Sequence, residues 1–241
     1  MTLDGTNTYL VPNDGEIAVI DPGPDLPEHI EAVLATAAPL GRITTVLVTH
    51  RHGDHLPAAQ PLCKRTGAVL AGHADLPGVK HPLADMSTAF GSLRALNTPG
   101  HTQDSLCFLD EDSGELFTGD LVLGRGTSVL DDAPGALADY IRSLQRLRTL
   151  EPRTIYPGHG PIVDDALGKL SEYIAHRQQR EQQVLSALPG TIDKLVAAIY
   201  SDVQPNLVPM AARNVRACLE KLASEHRVHS PDGATWQLTT P

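Results

Sequence analysis

Four groups able to bind a divalent cation fall within six residues at His50-Arg51-His52-Gly53-Asp54-His55. They follow an apolar, β-branched run, Ile43 to Val48, that reads as a buried strand. His50 and His52 are two apart, so a strand end or extended turn aims both rings the same way. Asp54 and His55 are neighbours and diverge, which suits them to a different ion. The spacing therefore predicts two adjacent metals, one held mainly by His50 and His52 and the other by Asp54 and His55. Imidazole and carboxylate without thiolate suit zinc, with iron and manganese as alternatives. A lone histidine on a polar loop would say little; three beside an aspartate, at the end of a buried strand, argue for a metal site.

Three more residues repeat that context. His101 lies in Thr98-Pro99-Gly100-His101-Thr102, Asp120 in Gly119-Asp120, and His159 in Pro157-Gly158-His159-Gly160-Pro161. Each sits just past a short apolar strand, in a turn punctuated by Gly or Pro. Side chains placed this way gather along one edge of a strand-rich scaffold, with rigid elements behind and loops in front.

The elements that must position them alternate between strand and helix. Thr6 to Val11 and Glu16 to Ile20 read as a hairpin around Pro12-Asn13-Asp14-Gly15. A helix from Pro27 to Ala38 carries Ile30, Val33, Leu34 and Ala37 on one face. A second helix, broken by Pro57 and Pro61, is expected over Asp54 to Arg65, closed by Gly67. Strands follow at Ala68 to Ala71, Leu93 to Asn97, Ser105 to Leu109, Glu115 to Thr118 and Thr154 to Tyr156. Leu137, Ile141, Leu144, Leu147 and Leu150 mark an amphipathic helix, and Asp165 to Leu188 a long one. This order implies an α/β layered fold. The chain of 241 residues is 41% hydrophobic but only 4% aromatic, so its core must be largely aliphatic.

A formal charge of -10 argues against a strongly basic nucleic-acid binder and against an anionic membrane surface. A polyanionic substrate would need metal ions or a local patch to draw it in. Cys63, Cys107 and Cys218 are far apart and odd in number, which fits no disulfide framework and no cysteine zinc site. No signal-peptide pattern and no span-length apolar run is visible, so a cytoplasmic setting is expected.

These blocks, in this order, resemble the metallo-beta-lactamase superfamily over roughly residues 1 to 188. The resemblance implies a four-layer αββα sandwich. It also implies one metal on His50, His52 and His101, a second on Asp54, His55 and His159, and Asp120 with a water or hydroxide between them. Asp54 would both ligate the second metal and orient the hydroxide, which makes it the catalytic candidate. Where the first subclass of true zinc beta-lactamases carries cysteine this chain has Asp120, which disfavours antibiotic hydrolysis. His52, where di-iron oxidoreductases usually carry Glu, favours hydrolysis over oxygen chemistry. One departure is Leu56-Pro57, where the wider superfamily often has a small residue and Gly. Met1 to Leu10, Thr98 to Asp104, Gly119 to Thr127, Ile155 to Pro161 and His176 to Glu181 are further similar to the beta-lactamase-like protein 2 branch. That likeness implies a metal-dependent endoribonuclease acting on single-stranded RNA, with a small winged-helix-like C-terminal unit.

Leu188-Pro189-Gly190 is the clearest boundary, dividing a catalytic domain (1–188) from a C-terminal domain (189–241). Beyond it, helices at Thr191 to Tyr200 and Leu207 to Ala223 precede a hairpin around Pro231-Asp232-Gly233, a winged-helix-like order. Its Lys194, Arg213, Arg216, Lys221 and Arg227 are matched by Asp193, Asp202, Glu220, Glu225 and Asp232. Backbone affinity for nucleic acid comes from uncompensated cations, so a packing or homodimer-forming cap is favoured over a nucleic-acid reader. On the preceding helix, His176, Arg177 and Arg180 read either as an anion-facing group or as a solvated face paired with Glu172 and Glu181. The expected function is dinuclear zinc hydrolysis of single-stranded RNA. The alternative is a small-molecule ester or thioester hydrolase of the hydroxyacylglutathione hydrolase (glyoxalase II) type. No substrate-binding residue is assigned.

Overall fold

Period-two alternation along the strands decides which layer each side chain enters. In the computed structural model, which describes residues 5–239, Glu16–Ile20 (β2) sends Ile17 and Val19 to one face and Ala18 and Ile20 to the other. The first sheet runs in the order β1 (Tyr9–Asn13), β2, β3 (Arg42–Leu47), β4 (Val69–Gly72) and β5 (His81–Pro82), antiparallel only between β1 and β2. Ile17, Val19 and Val46 pack under α1 (Pro27–Ala37) and α2 (Ala59–Thr66), with Ile30, Val33 and Leu62 completing that layer.

The second sheet has the order β10 (Thr154–Pro157), β9 (Glu115–Gly119), β8 (Leu106–Asp110), β7 (Leu93–Asn97) and β6 (Thr88–Phe90). Here β8 sends Leu106 and Phe108 toward the first sheet, and Cys107 and Leu109 toward α3 (Ala136–Thr149) and α4 (Ala166–Ala187). Helix, sheet, sheet and helix thus enclose three apolar layers, the αββα order expected. All three phenylalanines, Phe90, Phe108 and Phe117, lie in the layer between the sheets, with Tyr9 and Tyr156 against it. The other buried aromatics, Tyr140 and Tyr173, fill the layer under α3 and α4.

Differences from the sequence reading have local causes. The helix expected from Asp54 begins only at Ala59, because 54–58 form turns that present the cation-binding groups. Pro61 is tolerated in the first helical turn, where its missing N–H would have had no partner. The first strand starts at Tyr9, not Thr6. Asn7 is spent instead on Pro157 and Gly160, donating to both carbonyls at 2.9 Å, and Thr8 donates to the Asp21 carbonyl at 2.7 Å. Strands β5 and β6, two and three residues long, are too short to give a periodic signal. Part of the N-terminal likeness, Met1 to Asp4, lies outside the described residues.

After α4 come α5 (Ile192–Ile199), α6 (Val208–Ser224) and the hairpin β11 (Val228–His229) with β12 (Gln237–Leu238). Leu195, Val215, Leu219 and Leu222 join Tyr140, Leu170 and Val184 in one continuous apolar cluster. Lys221 of α6 also meets the buried Glu181 of α4 at 3.0 Å. Neither reading of the α4 charges holds. Arg177 is buried, its guanidinium lying over the Tyr140 ring and donating to the Ser128 carbonyl at 2.6 Å. Arg180 stacks on Tyr200, and Glu172 pairs with Lys169. Among the described residues no helix is long and apolar enough to cross a membrane, and Cys63, Cys107 and Cys218 are free thiols.

Candidate metal centre

Strand ends deliver the seven singled-out residues to one place. His50 and His52 follow β3, His101 follows β7, Asp120 follows β9 and His159 follows β10. His50 Nε2 lies 2.9 Å from His52 Nδ1, and His101 Nε2 lies 3.0 Å from the same atom. A second group forms beside it. His159 Nε2 is 3.4 Å from His55 Nε2 and 3.1 Å from Asp54 Oδ2. Asp120 reaches toward both groups, with Oδ2 3.7 Å from His101 Nε2 and 3.4 Å from His159 Nε2, and Oδ1 3.4 Å from His55 Nε2. His50, His52, His101 and Asp120 can therefore converge on one cation, and Asp54, His55 and His159 on another.

The donor set fits metal ions on chemical grounds. Nitrogens about 2.0–2.1 Å from a shared tetrahedral zinc lie about 3.3 Å apart, close to the separations here. Asp120 Oδ1 is buried without a hydrogen-bond partner, a costly state for a carboxylate unless a cation completes it. The backbone also leaves room. A Cβ on Gly158 would stand 2.6 Å from Asp120 Oδ1 and 2.8 Å from the His55 ring. Gly119 has φ +48, and a Cβ there would collide with the Thr49 hydroxyl at 2.4 Å.

Outer partners fix the rings. Asp21, at the end of β2, accepts from the Thr49 amide at 2.8 Å and the Thr49 hydroxyl at 2.7 Å, and meets His55 Nδ1 at 2.8 Å. With its proton given to Asp21, the Thr49 oxygen is left to accept from His50 Nδ1 at 2.9 Å. His101 Nδ1 donates to the Val129 carbonyl at 2.7 Å, and His159 Nδ1 to the Gly5 carbonyl at 2.8 Å. Each such bond directs the other ring nitrogen to the centre. Ser128 Oγ sits 3.3 Å from His101 Nδ1 and donates to the Asp120 carbonyl at 2.6 Å.

The two groups differ in charge preference. Burial, reinforced by neighbouring imidazoles, holds His50 well below the usual histidine range. Burial also lowers His52 and His101, against the pull of Asp120. At His55 burial opposes the charge too, yet Asp21 and Asp120 outweigh it and raise the ring to about 10. His159 is likewise raised despite burial, by Asp120 and the Gly5 carbonyl. Asp120 is held far below the ordinary carboxylate range by His159 and His55, although its burial acts the other way.

Three outer partners, Asp21, Ser128 and Arg177, are not among the metal-site residues that the sequence singles out. Asp21 carries the same signature as His50 and Asp120, a polar residue ending an apolar strand before a Pro-Gly turn. Its φ of 49 marks a backbone held in place for a purpose. Ser128 and Arg177 had no such signal. His73, just past β4, lies apart from both groups, 3.6 Å from Asp75.

The centre opens into a cleft of about 810 Å³. Its walls include Leu123, Leu130 and Met210 on the apolar side and Arg51, Arg125 and Arg213 on the charged side.

The sequence and the fold are similar to those of known proteins. The family pattern described as "Metallo-beta-lactamase superfamily" matches residues 1–90 and 74–159, and "Beta-lactamase associated winged helix domain" matches 191–236. A beta-lactamase-like protein 2 homolog of Drosophila melanogaster is 35% identical, over 95% of this chain and 85% of that one. An atrochrysone carboxyl ACP thioesterase of a Cryptosporiopsis species is 33% identical, over 78% of this chain and 59% of that one. In fold, a metallo-beta-lactamase family protein from Thermus thermophilus is similar with a TM-score of 0.77 at 24% identity, covering 97% and 93% of the two chains.

Proposed function

As the chain belongs to the metallo-beta-lactamase superfamily, we propose that it is a dinuclear metal hydrolase cleaving phosphodiester bonds in single-stranded RNA. His50, His52 and His101 would hold one ion, Asp54, His55 and His159 the second, with Asp120 shared. Zinc suits the donors best, with iron and manganese as the alternatives. Two such ions supply an acidified water and polarise the scissile group at neutral pH.

The chain's own residues do the rest. Asp54 is the more exposed of the acidic pair, with 29% of its side chain open against 12% for Asp120. It thus borders the cleft where a nucleophile and substrate would meet, and its free oxygen can orient the attacking group. Asp21, Thr49 and the Val129 and Gly5 carbonyls keep the imidazoles aimed inward through catalysis. The observation that carries this reading is an open cleft lined by five of the seven donors, His52, Asp54, His101, Asp120 and His159, together with three arginines. Two divalent cations held there would, with Arg125, unpaired among the described residues, outweigh the cleft's carboxylates and supply the local positive charge that an acidic chain needs to draw in a polyanion.

The apolar wall of Leu123, Leu130 and Met210 favours a second reading, hydrolysis of a thioester carrying an acyl chain. The Cryptosporiopsis relative, a thioesterase by name, agrees with that chemistry. Incubating zinc- or manganese-loaded protein with single-stranded RNA, duplex RNA and an acyl thioester separates them. Cleavage of single-stranded RNA that Asp54→Asn abolishes is the expected result. Turnover of the thioester alone would replace the RNA reading with the second one. We also place the unit boundary at Leu188-Pro189, where α4 ends.

A further inference from the structure

The cleft is not built by the catalytic layers alone. Met210 and Arg213, on the first turns of α6, line it together with Arg125 from the loop after β9. Arg213 donates to the Leu130 carbonyl at 3.0 Å, next to the Val129 carbonyl that accepts from His101. The C-terminal unit is thereby pinned, through two adjacent peptides, to a residue of the metal centre.

The three cleft arginines are not equivalent. Arg51 is committed, bonded to the buried Asp104 at 3.0 Å and to Asp131 at 3.2 Å. Arg213 pairs with Asp132, but 72% of that carboxylate's side chain is open to solvent. So exposed a pair contributes little and yields readily to a better anion. Arg125 is exposed and has no ion-pair partner among the described residues. The cleft thus presents one uncommitted and one loosely held guanidinium, on opposite structural units, facing the same space. Guanidinium forks recognise phosphate oxygens in a planar, two-point manner.

We propose that Arg125 and Arg213 form a subsite for a second phosphate of the substrate, the one next to the scissile phosphodiester. This rests on the phosphodiester reading above and names what the C-terminal unit contributes to it. The charges of that unit are balanced elsewhere, so it reads nucleic acid through this one side chain in the active cleft, not through a separate basic face.

The test uses metal-loaded, full-length protein and equilibrium titration with uridine 5′-monophosphate and uridine 3′,5′-bisphosphate, ligands that differ by one phosphate. Wild-type protein is expected to bind the bisphosphate about tenfold more tightly, the scale of one or two charge-assisted bonds. Arg125→Met and Arg213→Met each shrink that ratio to about threefold or less. Arg125 makes no contact that the fold depends on, so its variant reports even if Arg213→Met unfolds. Equal affinity for the two ligands in wild-type protein overturns the subsite, as do variants that weaken both ligands alike. A persistent bisphosphate preference without RNA cleavage would sink the RNA phosphodiesterase reading and leave the two-phosphate site standing; RNA cleavage with equal affinities would do the reverse.

Discussion

The two halves of the metal centre are built from the same residue types and behave differently. His50, His52 and His101 lie where burial keeps their rings neutral, so they are ready as donors without losing a proton. His55 and His159 are shifted the other way, His55 by Asp21 and Asp120 and His159 by Asp120 and the Gly5 carbonyl, so their surroundings favour the protonated ring. One half is prepared by withdrawal from water, the other by carboxylates that keep its charge balanced until a cation arrives. The lesson is that the environment of a ligand, and not its identity, sets what metal binding must displace.

Asp120→Ala tests that contrast most severely, because Asp120 is the carboxylate within reach of both halves. Metal content and turnover should fall together, turnover by more than about 100-fold, beyond the usual cost of losing an outer partner. Full activity in metal-replete variant protein would show that the halves need no shared ligand. Asp21→Ala should discriminate between the halves. It strips His55 of its direct partner, whereas His50 is reached only through Thr49, so affinity for the second metal equivalent should drop about 10–100-fold and that for the first by less. Equal losses of both equivalents by metal analysis would erase the distinction.

The pH dependence follows from the same difference. A ring raised to about 10 stays protonated below that pH and must release its proton to ligate. Affinity of the Asp54, His55 and His159 group should therefore rise between pH 7 and 9, about tenfold per unit for each proton displaced. The lowered rings of the other group are already neutral there, so its curve should be flat. Parallel curves from metal-competition titrations would break the comparison. Ser128→Ala should have the smallest effect, about tenfold or less on affinity at the first group. It removes a hydroxyl 3.3 Å from His101, while the stronger bond to the Val129 carbonyl survives.

The ligand side chains were legible because His50, His101, Asp120 and His159 sit just past apolar strands in turns with Gly or Pro, and His52, Asp54 and His55 crowd into the first of those loops, a pattern local in sequence. The layers were legible for a similar reason, since alternation in β2 and β8 and the spacing of leucines in α3 are short-range signals. What could not be read were partnerships between distant segments. Arg177 looks like a surface cation within α4; only packing against Tyr140 and Ser128 shows that it is interior. Arg213 likewise belongs by sequence to a charge-balanced appendage, and only the approach of α6 to Leu130 brings it into the cleft. The start of α2 was misjudged because apolar spacing continues through turns whose backbone serves Asp54 and His55.

The apolar cluster that runs from Tyr140 and Leu170 through to Leu219 and Leu222 has a consequence for how the molecule comes apart. Cutting the chain after Leu188 would leave oily surface on α3 and α4 exposed and strand Glu181 without its lysine. The C-terminal unit is therefore part of a shared interior, and heat should melt the whole protein in a single step.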